Sequence, residues 1–234
     1  MKKLGLIGGM SWVSTGMYYD RINRLVQNCA APMASAPLLI ESLDFGQLYA
    51  LSEDSDWRQA GVILCDSAKR LEAAGAQGLI IGANSMHRLY DEVADAVDIP
   101  ILHIADYVGK SVQDAGCKNA ALIGTRNVMG EGFYRDRLIE QGIGLLPADV
   151  SNVETVERIV YDELMVGKVS RDAQRALKTI ITNKAKEGAD AIILACTELD
   201  LVVDVGANIL PVFDSGLIHC EAAANWILGH EAQG

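Results

Sequence analysis

The chain has 234 residues, 50% of them hydrophobic and 22% charged, a composition that excludes disordered, collagenous and coiled-coil proteins. Its 20 basic and 31 acidic residues give a net charge of −11, which is opposite to the basic surface that binds nucleic acid. Its apolar runs are shorter than the roughly 18 residues of a membrane span, and the first one is too short for a signal peptide. We expect a cytoplasmic globular protein without nucleic-acid or membrane partners.

Short apolar runs alternate with longer amphipathic stretches along the chain. Buried strands are predicted at 4–7, 37–40, 78–81, 101–104, 120–123, 191–194 and 209–213, and helical stripes at 57–71, 153–164 and 173–181. Ser170 is placed to cap the third stripe at its N-terminus. This alternation is typical of an α/β fold with mostly parallel sheets, in which ligands bind beyond the carboxyl ends of the strands.

An internal repeat relates the two halves of the sequence. Segment 74–85 matches segment 187–198, with Ala83 and Cys196 at equivalent positions, eight residues after Gly75 and Gly188. The repeat predicts two pseudo-symmetric three-layer αβα lobes, although a chance likeness between two strand–loop segments is the alternative. We place the first lobe at 1–104 plus 214–234 and the second at 105–213.

The chain contains five cysteines, an odd number without a CxxC pair, so neither a disulfide framework nor a zinc site is indicated. Cys196 follows a buried strand and precedes a polar pair. A helix N-terminus is expected there, which would lower the pKa of its thiol from about 8.5 and favour a functional role. We expect no functional role for the other four, Cys29, Cys65, Cys117 and Cys220, and interpret them as buried structural cysteines.

Polar residues follow the strands at four further places. The pairs at 84–85 and 197–198 could bind a carboxylate, or cap the helices that we expect to follow them. The glycine turns at 8–11 and 124–126 lack both the GxGxxG pattern and the Walker lysine, so they favour a small ligand over a nucleotide. Arg126 could pair with an acid group or lie in solvent.

Several of these segments together resemble the cofactor-independent aspartate/glutamate racemase superfamily, over essentially the whole chain. The matching motifs are Gly5-Leu-Ile-Gly-Gly-Met-Ser-Trp12, Ala83-Asn-Ser-Met-His87, Leu102-His-Ile-Ala-Asp106, Gly124-Thr-Arg126, Cys196-Thr-Glu198 and Val212-Phe-Asp214. The nearest branch is that of the bacterial racemases of L-aspartate or L-glutamate. The resemblance implies an amino-acid substrate in a cleft between two lobes, a homodimer, and no pyridoxal phosphate. No metal ligands are expected.

The resemblance also implies two cysteines that face the α-carbon from opposite sides, one removing a proton as thiolate and the other donating one as thiol. Cys196 matches the second cysteine, but the first position is Ala83, which carries no titratable proton. Three explanations stay open: an engineered exchange of Cys for Ala, a natural one-base enzyme, or a proton relay through Ser85 or water. The substrate-binding residues that we expect are Met10, Ser11, Ser52, Asn84, Ser85, Thr125, Thr197 and Glu198.

Archaeal-type aspartate racemases carry two basic residues whose places are taken here by 46–47 and 164–165, both without charge. The distal carboxylate of aspartate would then depend on Gln47, Ser52, Arg126 or backbone N–H groups. The sequence therefore favours an aspartate or glutamate racemase. The alternatives are a single-cysteine decarboxylase of the same fold and a catalytically weak homologue that binds an amino acid.

Overall fold

The computed structural model describes residues 1–53 and 57–230, and these form two compact units. The first unit comprises Met1–His103 together with the chain from His219 onward, and the second comprises Ile104–Ile218. Each unit is built around its own four-stranded sheet, and every strand pairing is parallel.

The first unit alternates strands and helices around a sheet of order β2-β1-β3-β4. Its elements are β1 (Leu4–Gly8), α1 (Trp12–Cys29), β2 (Leu38–Ser42), α2 (Phe45–Glu53), α3 (Trp57–Ala73), β3 (Gly78–Ile81), a 3₁₀ helix (Ser85–Leu89), α4 (Tyr90–Ala94) and β4 (Ile101–Leu102). All residues of β1 and β3 are buried, because these two central strands have neighbours on both sides.

The second unit repeats this arrangement with the order β6-β5-β7-β8. Its elements are α5 (Ile104–Asp114), β5 (Asn119–Gly124), α6 (Arg126–Gly130), α7 (Gly132–Glu140), β6 (Gly144–Leu145), α8 (Val150–Asp162), α9 (Arg171–Lys186), β7 (Ala191–Ala195) and β8 (Val212–Asp214). The last helix, α10 (Ser215–Leu228), begins in the second unit and continues into the first at His219. Short 3₁₀ helices lie at Leu164–Val166, Leu199–Leu201 and Val205–Ala207. In both units the second strand of the unit lies at one edge of the sheet, and the first strand of the unit lies between the second and the third.

The shared strand order confirms the predicted α/β fold with two similar lobes. It also places positions 83 and 196 at equivalent points, just after the third strand of each sheet. The predicted cap is confirmed too, since the Ser170 hydroxyl accepts a hydrogen bond from the backbone N–H of Ala173 at 3.0 Å.

Two predicted strands are shorter in the structure, and one strand was not predicted. Ile104 belongs to α5 rather than to a strand at 101–104, because it continues the buried helical face that includes Val108 and Val112. The strand predicted at 209–213 begins only at Val212, since Ile209 is exposed. The two-residue strand β6 lies in the short apolar segment Ile143–Leu146, which Gly144 interrupts and which was not recognised as a strand.

Candidate active site

The first candidate segment is the glycine turn that follows β1. Gly9 has a φ of +86°, and a Cβ at this position would lie 2.1 Å from the carbonyl oxygen of Leu43, so only glycine fits. Met10 and Ser11 come next, and both are buried. The Ser11 hydroxyl accepts a hydrogen bond from the backbone N–H of Ser14 at 3.3 Å and so caps α1. A polar side chain is thus held at the carboxyl end of the sheet.

The second candidate segment follows β3, the strand beside β1. Gly82 donates a backbone hydrogen bond to Ile7 of β1 at 2.8 Å, which ties the start of this segment to the end of β1. Ala83 and Asn84 are buried, and Ser85 is half-buried at the start of the short 3₁₀ helix. The expected α-helix N-terminus is therefore absent, and one 3₁₀ segment of five residues takes its place.

A hydrogen bond at 2.9 Å joins Nδ1 of His87 to the carbonyl oxygen of Ala83. His87 is one of three buried histidines in this unit. Its ring centroid lies 4.5 Å from that of His103 and 5.8 Å from that of His219. This grouping was not predicted, because the three histidines are far apart in the sequence. Ser52, a further predicted binding residue, lies in α2, and its side chain is outside the described residues.

The second unit carries its own polar residues after two neighbouring strands, β5 and β7. Gly124 pairs with Ala195 at the ends of these strands, and a Cβ on Gly124 would lie 2.8 Å from the carbonyl oxygen of Ala195. Thr125 and Cys196 follow directly and therefore lie at the same edge of the sheet. The buried Thr125 hydroxyl has no hydrogen-bond partner within the part of the chain that the structure describes.

Arg126, the next residue, forms an ion pair with Glu157. Its backbone N–H donates to one carboxylate oxygen at 2.9 Å, and its guanidinium lies 3.3 Å from the other. The arginine is thus paired with an acid group of the protein itself while its side chain stays 56% exposed, so both possibilities that the sequence left open are met in part.

Cys196, Thr197 and Glu198 form a compact buried group. The Cys196 thiol donates to Oε2 of Glu198 at 3.1 Å, and the Thr197 hydroxyl donates to the same oxygen at 2.9 Å. Their exposed fractions are 7%, 4% and 2%. A thiol, a hydroxyl and a carboxylate are therefore held together at the carboxyl end of β7.

The predicted lowering of the Cys196 pKa is wrong in sign. Burial, followed by the negative charge of Glu198, raises the pKa of this thiol well above its usual value. The expected helix N-terminus is only the three-residue 3₁₀ helix Leu199–Leu201, which is too short to offset these effects. Cys196 is accordingly a thiol at neutral pH.

The other cysteines only partly fit the interpretation as buried structural residues. Cys220 is buried, as predicted, whereas Cys29 is exposed and Cys65 and Cys117 are half-buried. Burial raises the pKa of the Cys65 and Cys117 thiols. The Cys196 thiol contacts a buried carboxylate, that of Glu198.

Within residues 1–53 and 57–230, no group of three or more His, Cys, Asp or Glu side chains is arranged to hold a metal ion. No helix there is both long and apolar enough to cross a bilayer.

Comparison with known proteins gives a consistent result. Residues 7–223 match the family of Asp/Glu/hydantoin racemases. The broad specificity amino-acid racemase RacX of Bacillus subtilis is 23% identical over 86% of this chain and 96% of its own. A crystal structure of a candidate Asp/Glu racemase from Yersinia pestis is 38% identical, covers 97% of this chain and 100% of its own, and superposes with a TM-score of 0.89.

The crystal structure of an aspartate racemase homologue from Pyrococcus horikoshii is 30% identical to this chain. It covers 97% of this chain and 100% of its own, with a TM-score of 0.84. The residues that match the family, 7–223, include positions 83 and 196. On the family match and these two structures, the chain belongs to the Asp/Glu/hydantoin racemase family.

Proposed function

We propose that this protein acts on aspartate or glutamate as an amino-acid racemase that uses cysteine acid/base chemistry at the α-carbon without pyridoxal phosphate. The observation that carries the proposal is the buried Cys196 thiol, which follows a central strand and contacts a carboxylate. The family relationship supports it, because the relatives named above include an amino-acid racemase and an aspartate racemase homologue.

Racemisation requires a base that removes the α-proton from one face and an acid that returns a proton to the other face. Cys196 supplies one acid/base group. The equivalent residue of the first unit is Ala83, whose side chain can neither give nor accept a proton. We therefore propose that the protein exchanges the α-proton of one enantiomer and inverts it slowly, because only one of the two groups is present.

We propose that Thr125 binds the substrate. Its buried hydroxyl lacks a hydrogen-bond partner among the described residues, and a buried polar group of this kind is stabilised when a ligand supplies one. A substrate carboxylate is a suitable acceptor. Asn84 and Ser85 are proposed as further donors, as is the backbone N–H of Thr197, whose hydroxyl proton is already donated to Glu198. Met10 and Ser11, which follow β1, are proposed as further binding residues.

Replacing Ala83 with cysteine tests the proposal. The second thiol should raise the racemisation rate by about 10²–10⁴-fold, the usual contribution of one general acid/base group, which corresponds to roughly 3–5 kcal/mol of activation free energy. Racemisation is followed by circular dichroism, and α-proton exchange by proton NMR in deuterated water, with both enantiomers of aspartate and glutamate. Cys196→Ala should abolish exchange.

A matched control is Ala76→Cys, since Ala76 is as buried as Ala83 and belongs to the same unit. It should leave both rates unchanged. Equal exchange of both enantiomers by the unmodified protein would contradict the proposal by revealing a second acid/base group, and Ser85→Ala would then test the relay that the sequence left open.

The alanine at position 83 also favours a second candidate function, a decarboxylase with a single cysteine. Loss of carbon dioxide from a substituted malonate generates a carbanion without a base, and one thiol then protonates one face. Carbon dioxide release from such a malonate, together with no exchange of any amino acid, would favour this function. Binding of an amino acid without turnover would indicate a catalytically weak homologue instead.

A further inference from the structure

Glu198 has the features of a proton partner for Cys196 rather than of a substrate ligand. A single carboxylate oxygen, Oε2, accepts both the thiol proton of Cys196 and the hydroxyl proton of Thr197. Sulfur and oxygen are 3.1 Å apart, which is short enough for a proton to pass directly between them. A carboxylate in this place would also repel the carboxylates of an acidic substrate.

The surroundings keep this pair away from water. Cys196 belongs to the same hydrophobic cluster as Val156 of α8, Leu194 of β7 and Leu199, so these neighbours offer it neither charge nor protons. The other charged group that acts on Cys196 is Asp200, which is also acidic. In such a low-dielectric place, thiol and carboxylate interact strongly.

We propose that Glu198 accepts the proton of Cys196 and returns it during the α-proton exchange, an inference that rests on the function proposed above. When the S–H bond breaks, its electron pair stays on sulfur and the proton forms an O–H bond with Oε2 of Glu198. The thiolate then takes the α-proton of the substrate, and the electron pair of the C–H bond remains on the α-carbon as a carbanion.

The return step reverses these transfers, and it places deuterium on the α-carbon when the hydrogen on sulfur has first exchanged with the solvent. The Cys196 thiol gives its proton to the carbanion, whose electron pair forms the new C–H bond, and Glu198 gives its proton back to sulfur. No oxidant, reductant or further base is needed, and the total charge of the pair is the same before and after. The hydrogen bond from Thr197 stabilises the ionised carboxylate and therefore favours the resting thiol.

The test is Glu198→Gln, which keeps the size of the side chain and removes both its charge and its ability to take a proton. Ionisation of Cys196 is measured as the ultraviolet absorbance of the thiolate across a pH titration, as the difference between each protein and the same protein with Cys196→Ser. We expect the titration in Glu198→Gln to move by about one pH unit or more to lower pH, because a neighbouring negative charge is lost. We also expect α-proton exchange to fall by about 10²-fold or more.

A merely structural role for Glu198 would not give this combination, in which the thiolate forms more readily while exchange becomes slower. Glu198→Asp keeps the negative charge but moves it farther from the thiol, because the side chain is one methylene shorter. The Cys196 titration in this variant should therefore lie between those of the wild type and Glu198→Gln. It also provides the test if the glutamine variant does not fold. Glu140→Gln, the same change at an exposed site of the same unit, should leave both measurements unchanged.

Two results would overturn the inference while leaving the proposed function intact. One is an unshifted thiolate titration in Glu198→Gln. The other is a shifted titration with an unchanged exchange rate, which would show that Glu198 acts only through its charge. By contrast, absence of exchange in the wild type would overturn the proposed function itself, whatever the titration shows.

Discussion

The buried His219 makes the stability of the protein depend on pH in a direction that can be derived from its hydrogen bonds. Its Nε2 lies 3.0 Å from the carbonyl oxygen of Leu102, which can only accept, so Nε2 carries the proton. Its Nδ1 lies 2.9 Å from the hydroxyl of Tyr18, which then donates to the ring. Both contacts are satisfied by the neutral ring, and a second proton on Nδ1 would displace the Tyr18 donor.

Complete burial lowers the pKa of His219 from 6.5 to about 4, because a charged ring would lose its hydration there. The unfolded chain takes up this proton more readily than the folded one. The stabilisation that the neutral His219 ring gives to the folded state is therefore complete above pH 6.5, and it is lost as the pH falls toward 4. Between about pH 7.5 and about pH 5 the loss is about 2 kcal/mol of unfolding free energy.

The assay is urea unfolding of the wild type and of His219→Gln at these two pH values. The variant lacks the titrating ring, so the difference in unfolding free energy between the two proteins should shrink by about 2 kcal/mol at the lower pH. His230→Gln is a matched control at an exposed position, and its difference from the wild type should stay constant. A difference for His219→Gln that is equally large at both pH values would refute the reasoning.

Two further outcomes are expected. Gly124→Ala should destabilise the protein by about 1–3 kcal/mol in urea unfolding, because the new methyl group meets the Ala195 carbonyl oxygen. The control Gly130→Ala, which has open space at its Cβ, should change stability by about 1 kcal/mol or less. Equal effects of the two substitutions would contradict this account. Any exchange activity should survive dialysis against EDTA and treatment with hydroxylamine, and a loss that a divalent metal restores would count against cofactor-independent chemistry.

The architecture could be predicted from the sequence because central strands of parallel sheets are buried on both faces and form continuous apolar runs. All seven predicted strands are present, and the repeat that pairs Ala83 with Cys196 reappears as the same strand order in both sheets. The errors lie at the ends of elements. Ile104 is equally apolar in a strand and on the buried face of a helix, so hydrophobicity alone did not decide between them.

The electrostatic character of the site could not be predicted in the same way. The sequence shows that Glu198 follows Cys196 by two residues, but not that its carboxylate folds back to accept the thiol proton. It also suggested a helix long enough to favour a thiolate, where the chain forms a single 3₁₀ turn. A pKa depends on burial and on charges within a few ångströms, and both are set by side-chain geometry.

The two units share one topology but carry different side chains at the equivalent strand ends. After β7 the strand end carries a thiol with a carboxylate beside it, whereas after β3 it carries Ala83, whose carbonyl is bound by His87. Under the proposed function, with no acid/base side chain at position 83, Cys196 both removes the α-proton of the substrate and returns a proton to the same face. A pair that stores one proton, as proposed for Cys196 and Glu198, meets that requirement, since every transfer can begin and end on the same two side chains. Under this proposal the alanine at position 83 slows inversion but leaves exchange. The rate of exchange should therefore respond to changes at Glu198, and the rate of inversion to changes at position 83.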